Sequence, residues 1–132
     1  MFQQPVLSLE DAKRVAAAAR VEAEKNGWLV VIAIVDDGGH LMYLERMDGC
    51  QKASSRIAEK KGRTAILFKR PSKAIEDVVL EGRSTMMGLP GAVPLEGGVP
   101  LTKDGFFLGA IGVSGVQSFQ DGVIARAGVA AL

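Results

Sequence analysis

The sequence is poor in the residues that build disulfides, zinc sites and base-stacking surfaces. It contains one cysteine, Cys50, and one histidine, His40. An intrachain disulfide and a zinc site of the Cys/His type are therefore both excluded within a single chain. Aromatic residues make up 5% of the chain and the net charge is +1. Such a composition lacks the basic, aromatic surface of a nucleic-acid-binding protein, so no nucleic-acid partner is expected.

Long hydrophobic runs are absent as well. No apolar stretch approaches the roughly 18–20 residues that a membrane-spanning helix needs. The first residues, MFQQPVLSLEDAKR, lack the basic region and long apolar run of a secretory signal. We therefore expect a cytoplasmic protein with no membrane partner. Its 132 residues are expected to form a single domain over residues 1–132.

Four segments have the periodicity or the flanking residues of helices. The first is predicted to begin at the N-cap Ser8, and residues 51–69 form the second. Ser72 is predicted to cap a short third helix. Ser118 is predicted to cap the last helix, which places the carboxylate of Asp121 near the positive end of the helix dipole.

Two hairpins are predicted between these helices. The run LVVIAIV is typical of a central strand that is covered on both faces, and DDGG after it supplies a tight turn before HLMYLER. Asp104-Gly105 marks a second hairpin, whereas residues 83–100 are too rich in glycine and proline for a regular element. The predicted fold class is α+β, in the order helix, hairpin, two helices, long loop, hairpin, helix.

His40 is the most informative candidate for chemistry. A single imidazole cannot form a multi-histidine metal site, so no metal is expected in the apoprotein. It is chemically sufficient as an axial ligand of haem, which needs only one or two such ligands. The alternative is a histidine that belongs only to the hairpin. Asp121 is open to two interpretations as well, a catalytic carboxylate or a structural one in the first turn of a helix.

A stripe of basic residues follows the first hairpin. The spacings of 4, 4 and 3 residues place its members along one side of a helix. These residues are Lys52, Arg56, Lys60 and Arg63. The stripe is either a solvated face or a rim that attracts carboxylates or haem propionates.

Three stretches form a pattern by their order and spacing: AIVDDGGHLMYLERMDG, AEKKGRTAILFKRPS and PLEGGVPLTKDGFFLGAIGVSGVQSFQDGVIARAG. Together they resemble the GlcG/HbpS family of small haem-binding-type domains. The resemblance implies a profilin-like α+β fold with a five-stranded antiparallel sheet flanked by helices, and a homo-oligomer of two or more copies. It also implies haem as the cofactor of some members, whereas many others are encoded in catabolic operons and are suspected of acting on small molecules.

The resemblance transfers a set of candidate ligand-binding residues to this chain. They are His40, Arg46, Asp48, Lys60, Gly98, Ser114, Gly115 and Asp121. Two features depart from the family: Val116 stands where a second glycine often follows the VSG motif, and the export signal of the secreted branch is not expected in this protein. No residue is assigned a catalytic role.

The function predicted from the sequence is binding of haem or of a small carboxylated ligand in a pocket near subunit interfaces. Two alternatives stay open. The protein could be a small hydrolase or isomerase acting on a carboxylated intermediate of a catabolic pathway, or a non-enzymatic oligomeric accessory module.

Overall fold

Four antiparallel strands form the centre of the fold, and the computed structural model describes all of residues 1–132. The elements are α1 (Leu9–Asn26), β1 (Val31–Asp36), β2 (Leu41–Arg46), α2 (Ser54–Leu67), α3 (Ser72–Leu80), β3 (Gly98–Lys103), β4 (Phe106–Ser114) and α4 (Ser118–Val129). The strand order is β2-β1-β4-β3, and every pair is antiparallel. The α+β class and the order of helices and hairpins are confirmed.

The prediction of a fifth strand is wrong for this chain. The two hairpins supply four strands. The segment between α3 and β3 instead forms a 3₁₀ helix, Ser84–Gly88, followed by an irregular loop. This segment includes Pro90 and Pro94, which lack the backbone N–H that a ladder requires, and four glycines that weaken a strand.

The strand β1 lies at the centre of two layers. Residues 31–35 are fully buried, as the uninterrupted apolar run predicts. Ile32 and Ile34 join the alanine-rich face of α1 and the apolar face of α4. Val31 and Ala33 face the opposite side and pack with Ala58 of α2. The helices α1 and α4 therefore cover one face of the sheet, and α2 covers the other.

The first helix begins where the sequence predicts. The Ser8 hydroxyl accepts the Asp11 N–H at 3.0 Å, and the Asp11 carboxylate accepts the Ser8 N–H at 3.1 Å. This capping box satisfies two backbone donors that the helix cannot satisfy itself. Gly27 ends α1 in the left-handed region, with φ of 70°. None of the α-helices combines the length and the hydrophobicity that crossing a membrane requires.

The two other predicted serine caps are wrong. Ser72 is the first residue of α3, and its buried hydroxyl accepts the Gly98 N–H at 2.9 Å. That contact ties α3 to the start of β3. Ser118 lies inside α4, after the N-cap Gln117. A short polar side chain before a helix predicts a cap from local geometry alone, whereas the hydroxyl of Ser72 is used in a tertiary contact.

Glycines let α2 lie unusually close to the sheet. A Cβ at Gly112 of β4 would overlap the carbonyl oxygen of Ala58, and a Cβ at Gly62 would lie 3.2 Å from the Gly112 nitrogen. The backbones of α2 and β4 are thus nearly in contact, which a side chain on either surface would prevent. This close approach brings the polar residues of α2 to the end of β4.

Candidate functional site

The eight predicted site residues do not converge on one site. Four of them surround the contact of α2 with β4: Gly98, Ser114, Gly115 and Asp121. His40 lies at the first hairpin turn, and Lys60 lies on the exposed side of α2. The other two, Arg46 and Asp48, lie at the far end of β2. Each place has its own burial and charge.

The centre of the first group is a buried ion pair. The Lys61 Nζ lies 3.0 Å from Asp121 Oδ2 and donates to the Val113 carbonyl at 3.1 Å. Each of the two charged side chains is 2% exposed. The other oxygen of Asp121 accepts the Val116 N–H at 3.2 Å. The pair joins α2, the end of β4 and the first turn of α4.

Burial raises the pKa of Asp121 above its ordinary value, and the adjacent ammonium of Lys61 opposes that rise. A carboxylate in such a position needs its counter-charge, because an unpaired buried charge costs several kcal/mol. The geometry is therefore that of a structural pair, in which the carboxylate in the first turn of α4 holds a lysine from another helix.

Lys61 was missed by the sequence analysis, which selected its neighbour Lys60. Lys60 is exposed and Lys61 is buried. A signal was present in the sequence, because Ala58, Lys61 and Ala65 recur at the i, i+3, i+7 spacing of one helix face. Ala58 and Ala65 are both fully buried. The apolar periodicity therefore places Lys61, and not Lys60, on the covered side.

Ser114 and Gly115, at the turn after β4, were predicted to bind a ligand. A carboxylate does lie at this turn, and it is that of Asp121. Ser114 is buried, and its hydroxyl lies 3.2 Å from that of Ser54. Gly98 and Gly115 serve close packing, since a Cβ on either would overlap a backbone atom of a neighbouring segment. The polar groups of this turn are thus engaged within the chain.

The only thiol of the chain lies beside this serine pair. Burial raises the pKa of Cys50, and a hydrogen bond from Ser54 only partly opposes the rise. The thiol therefore stays protonated at neutral pH, and a protonated thiol is a poor nucleophile. Cys50 is not placed as a catalytic residue by this geometry.

Arg46 and Asp48 line a groove of about 370 Å³ at the far end of β2. Its lining consists of Arg20, Glu24, Leu29, Glu45, Arg46, Met47 and Asp48. Arg20 pairs with Glu45 at 3.1 Å. Three carboxylates outnumber two guanidinium groups in this groove, so its charge does not favour a carboxylated ligand. Arg46 and Ser114 lie on opposite sides of Val31 in the sheet and do not meet.

His40 stands just before β2, with its side chain 77% exposed. Its Nδ1 lies 3.3 Å from Asp36 Oδ1. The same oxygen accepts the backbone N–H groups of Gly38 and His40, each at 2.9 Å. Burial tends to raise the pKa of Asp36, but these backbone donors outweigh it and lower the pKa below its ordinary value. A charged carboxylate thus stands behind an exposed imidazole.

The basic stripe adjoins this turn. All four members are exposed, and none forms an ion pair. The aliphatic stem of Arg63 packs on Gly39, where a Cβ would lie 3.0 Å from Arg63 Cγ. Gly39 immediately precedes His40. The stripe is therefore exposed to solvent, and its last member reaches the hairpin turn. No group of three or more His, Cys, Asp or Glu side chains is arranged to hold a metal ion.

The fold and these sites define a small antiparallel α+β domain that presents one imidazole on a hairpin turn. The family model described as haem degrading protein HbpS-like matches residues 7–130. Protein GlcG of Escherichia coli (strain K12) is 45% identical over 114 residues, which are 86% of this chain and 85% of GlcG. The chain belongs to the GlcG/HbpS family.

Solved structures agree in fold. A double mutant of HbpS from Streptomyces reticuli is 34% identical, with a TM-score of 0.91, and the match covers 100% of this chain and 90% of that one. The structure of a complex of PduOC with haem is 32% identical, with a TM-score of 0.88 and coverage of 97% and 96%. The family resemblance of the sequence is confirmed, and haem binding occurs within this family.

Proposed function

We propose that this protein binds haem and that His40 would hold its iron. Support at the level of the family comes from the HbpS-like model and from the PduOC–haem complex. His40 is the only histidine of the chain. It is therefore the one imidazole that a single copy can offer to an iron atom.

The observation that carries this proposal is the pairing of His40 with Asp36. A histidine that binds a metal through one ring nitrogen commonly has its other ring nitrogen next to a carboxylate, which fixes the tautomer and raises the basicity of the ligand. Here Nδ1 lies 3.3 Å from the Asp36 carboxylate, and Nε2 has no partner in the chain. The residues present fit a group that needs one exposed imidazole nitrogen.

The basic stripe supplies the second requirement of a haem site. Haem carries two propionates, and guanidinium groups bind carboxylates through charge-assisted, often bidentate hydrogen bonds. Arg63 packs against the residue that precedes His40, and Lys60 and Arg56 continue the stripe along α2. Bound haem would supply the redox and oxygen chemistry of its iron, whereas these residues would hold and orient it.

We further propose that the site is completed by a second copy of the chain. Neither of the two hollows on the surface includes His40, so one chain alone offers no wall over the exposed imidazole. Haem bound to one chain alone would keep one apolar face of its macrocycle in water, so its binding would gain little free energy from burial. A homo-oligomer with the site near a subunit interface would cover it. Light scattering with and without haemin should detect the assembly.

The test is a titration of the purified protein with haemin, followed by the Soret band. A saturable band of fixed stoichiometry is expected. His40→Ala should shift the band and weaken binding at least tenfold, and added imidazole should restore the wild-type band position. Arg63→Ala should weaken binding about fivefold, the size of one exposed ion pair, without moving the band.

The control is Thr102→Ala, which removes an exposed side chain from the other hairpin and should leave the spectrum unchanged. An unsaturable spectrum, or an identical band and affinity in His40→Ala, would contradict the proposal. The hydrolase, isomerase and accessory-module alternatives remain predictions. An unsaturable haemin spectrum would be compatible with all three.

A further inference from the structure

A second hollow lies at the opposite end of the sheet from the Arg46 groove. It has a volume of about 250 Å³ and is formed where both hairpin turns, the end of α2 and the N-terminal segment meet. Its lining consists of Gln4, Asp37, Ile66, Lys69, Gly105, Phe106 and Phe107. None of these residues belongs to the sites described above.

One wall of this hollow is apolar. It is formed by Ile66, which is 3% exposed, and by the half-buried rings of Phe106 and Phe107. An aliphatic or aromatic group placed here would leave water, and burial of apolar surface is favourable at roughly 25 cal/mol per Å². The wall therefore favours a ligand with an apolar side chain.

The rim of the hollow carries two opposite charges that are not paired with each other. The Lys69 ammonium lies 5.5 Å from the centre of the Phe107 ring and has no carboxylate partner in the chain. Lys69 lies in the turn that follows α2, with φ of 52°. Asp37 accepts the Gln4 amide on Oδ2 at 2.8 Å, which leaves Oδ1 without a partner.

We propose that this hollow binds a small zwitterion with an apolar side chain, of the class of the neutral apolar α-amino acids. A simple carboxylate would pair with Lys69 but would also face Asp37. A simple amine would pair with Asp37 but would be repelled by Lys69. A zwitterion offers its carboxylate to Lys69 and its ammonium to Asp37, while its side chain packs on the phenylalanine wall.

The size of the hollow agrees with this class. At about 30 Å³ per water molecule, 250 Å³ holds roughly eight waters, which suits a ligand of about ten non-hydrogen atoms. Neither His40 nor any member of the basic stripe lines this hollow. The amino-acid site is therefore separate from the haem site proposed at His40, and each can fail without the other.

The experiment is a titration followed by ¹H–¹⁵N NMR with three probes of the same side chain: L-leucine, 4-methylpentanoate and 3-methylbutylamine. Leucine should give saturable shifts of Phe106, Phe107 and Lys69 amides. The two analogues, each lacking one charge, should bind up to about fivefold more weakly, the value of one exposed ion pair.

Two variants sharpen the assignment. Lys69→Met should weaken leucine binding about fivefold and remove its advantage over the amine, and Asp37→Asn should remove its advantage over the acid. Lys13→Met is the matched control, because Lys13 is an exposed lysine on α1 outside the hollow. A leucine affinity no higher than that of either analogue, or unaffected by both variants, would overturn the proposal. So would shifts confined to residues outside the hollow.

Discussion

Two carboxylates of this protein hold basic partners in opposite settings. Asp121 and Lys61 meet at 3.0 Å inside the protein, each 2% exposed. Asp36 and His40 meet at 3.3 Å on a turn, where the imidazole is 77% exposed. The buried partners are fully engaged with the chain itself, whereas the exposed imidazole keeps one nitrogen without a partner. Burial thus separates a pair that builds the fold from one that is available to a ligand.

The comparison also orders the expected energies. A buried charge that loses its partner stays desolvated and uncompensated, which typically costs 3–5 kcal/mol. An exposed charge is solvated again by water and loses little. Three substitutions test this order, from the interior to the surface.

The largest effect is expected for Lys61→Ala. It leaves the Asp121 carboxylate buried without its counter-charge, so the free energy of unfolding should fall by about 3–5 kcal/mol. Urea denaturation measures this value. The matched control is Lys60→Ala, one residue away on the exposed side of α2, which should change stability by less than about 0.5 kcal/mol. Equal effects of the two variants would show that the buried pair has no special role.

An intermediate effect is expected for Asp36→Asn. The neutral side chain accepts the two backbone N–H groups more weakly, which should cost about 1 kcal/mol at pH 7. Because the folded state lowers the pKa of Asp36 below 3.8, this stabilisation exists above pH 3.8. It is lost as the pH falls through the lowered value. The difference between wild type and variant should therefore shrink in acid.

Urea midpoints measured from pH 7 down to the acid limit of folding check that dependence. The matched variant is Asp37→Asn, at the next position of the same turn, which removes no acceptor of a backbone N–H. It should cost less stability at pH 7 than Asp36→Asn. If the difference in urea midpoint between wild type and Asp36→Asn widens in acid, the assigned direction of the pKa shift is wrong.

The smallest effect is expected for Lys73→Ala. Lys73 binds Asp77 at 2.9 Å on the exposed side of α3, with both side chains about half exposed. Water and salt screen such a pair, so the urea midpoint should not change resolvably. A loss comparable to that of Lys61→Ala would show that burial does not decide how much these ion pairs stabilise the fold.

Local signals were the ones that the sequence conveyed reliably. The N-cap at Ser8 and the two hairpin turns were predicted and are present. Each depends on residues within a few positions of one another. The failures were of another kind: Ser72 was predicted as a cap but binds the start of β3, 26 residues away. Lys60 was selected where Lys61 is the residue that pairs with Asp121.

The sequence by itself determined the order of the elements, the central place of β1 and the family of the chain. Hydrophobic periodicity and turn chemistry act over short distances, so they can be read along the chain. Only the tertiary structure decided which polar groups are engaged internally and which face a ligand. Lys61 and Asp121 are 60 residues apart and meet because glycines bring α2 nearly onto β4. That partnership depends on the packed backbone, which no local pattern specifies.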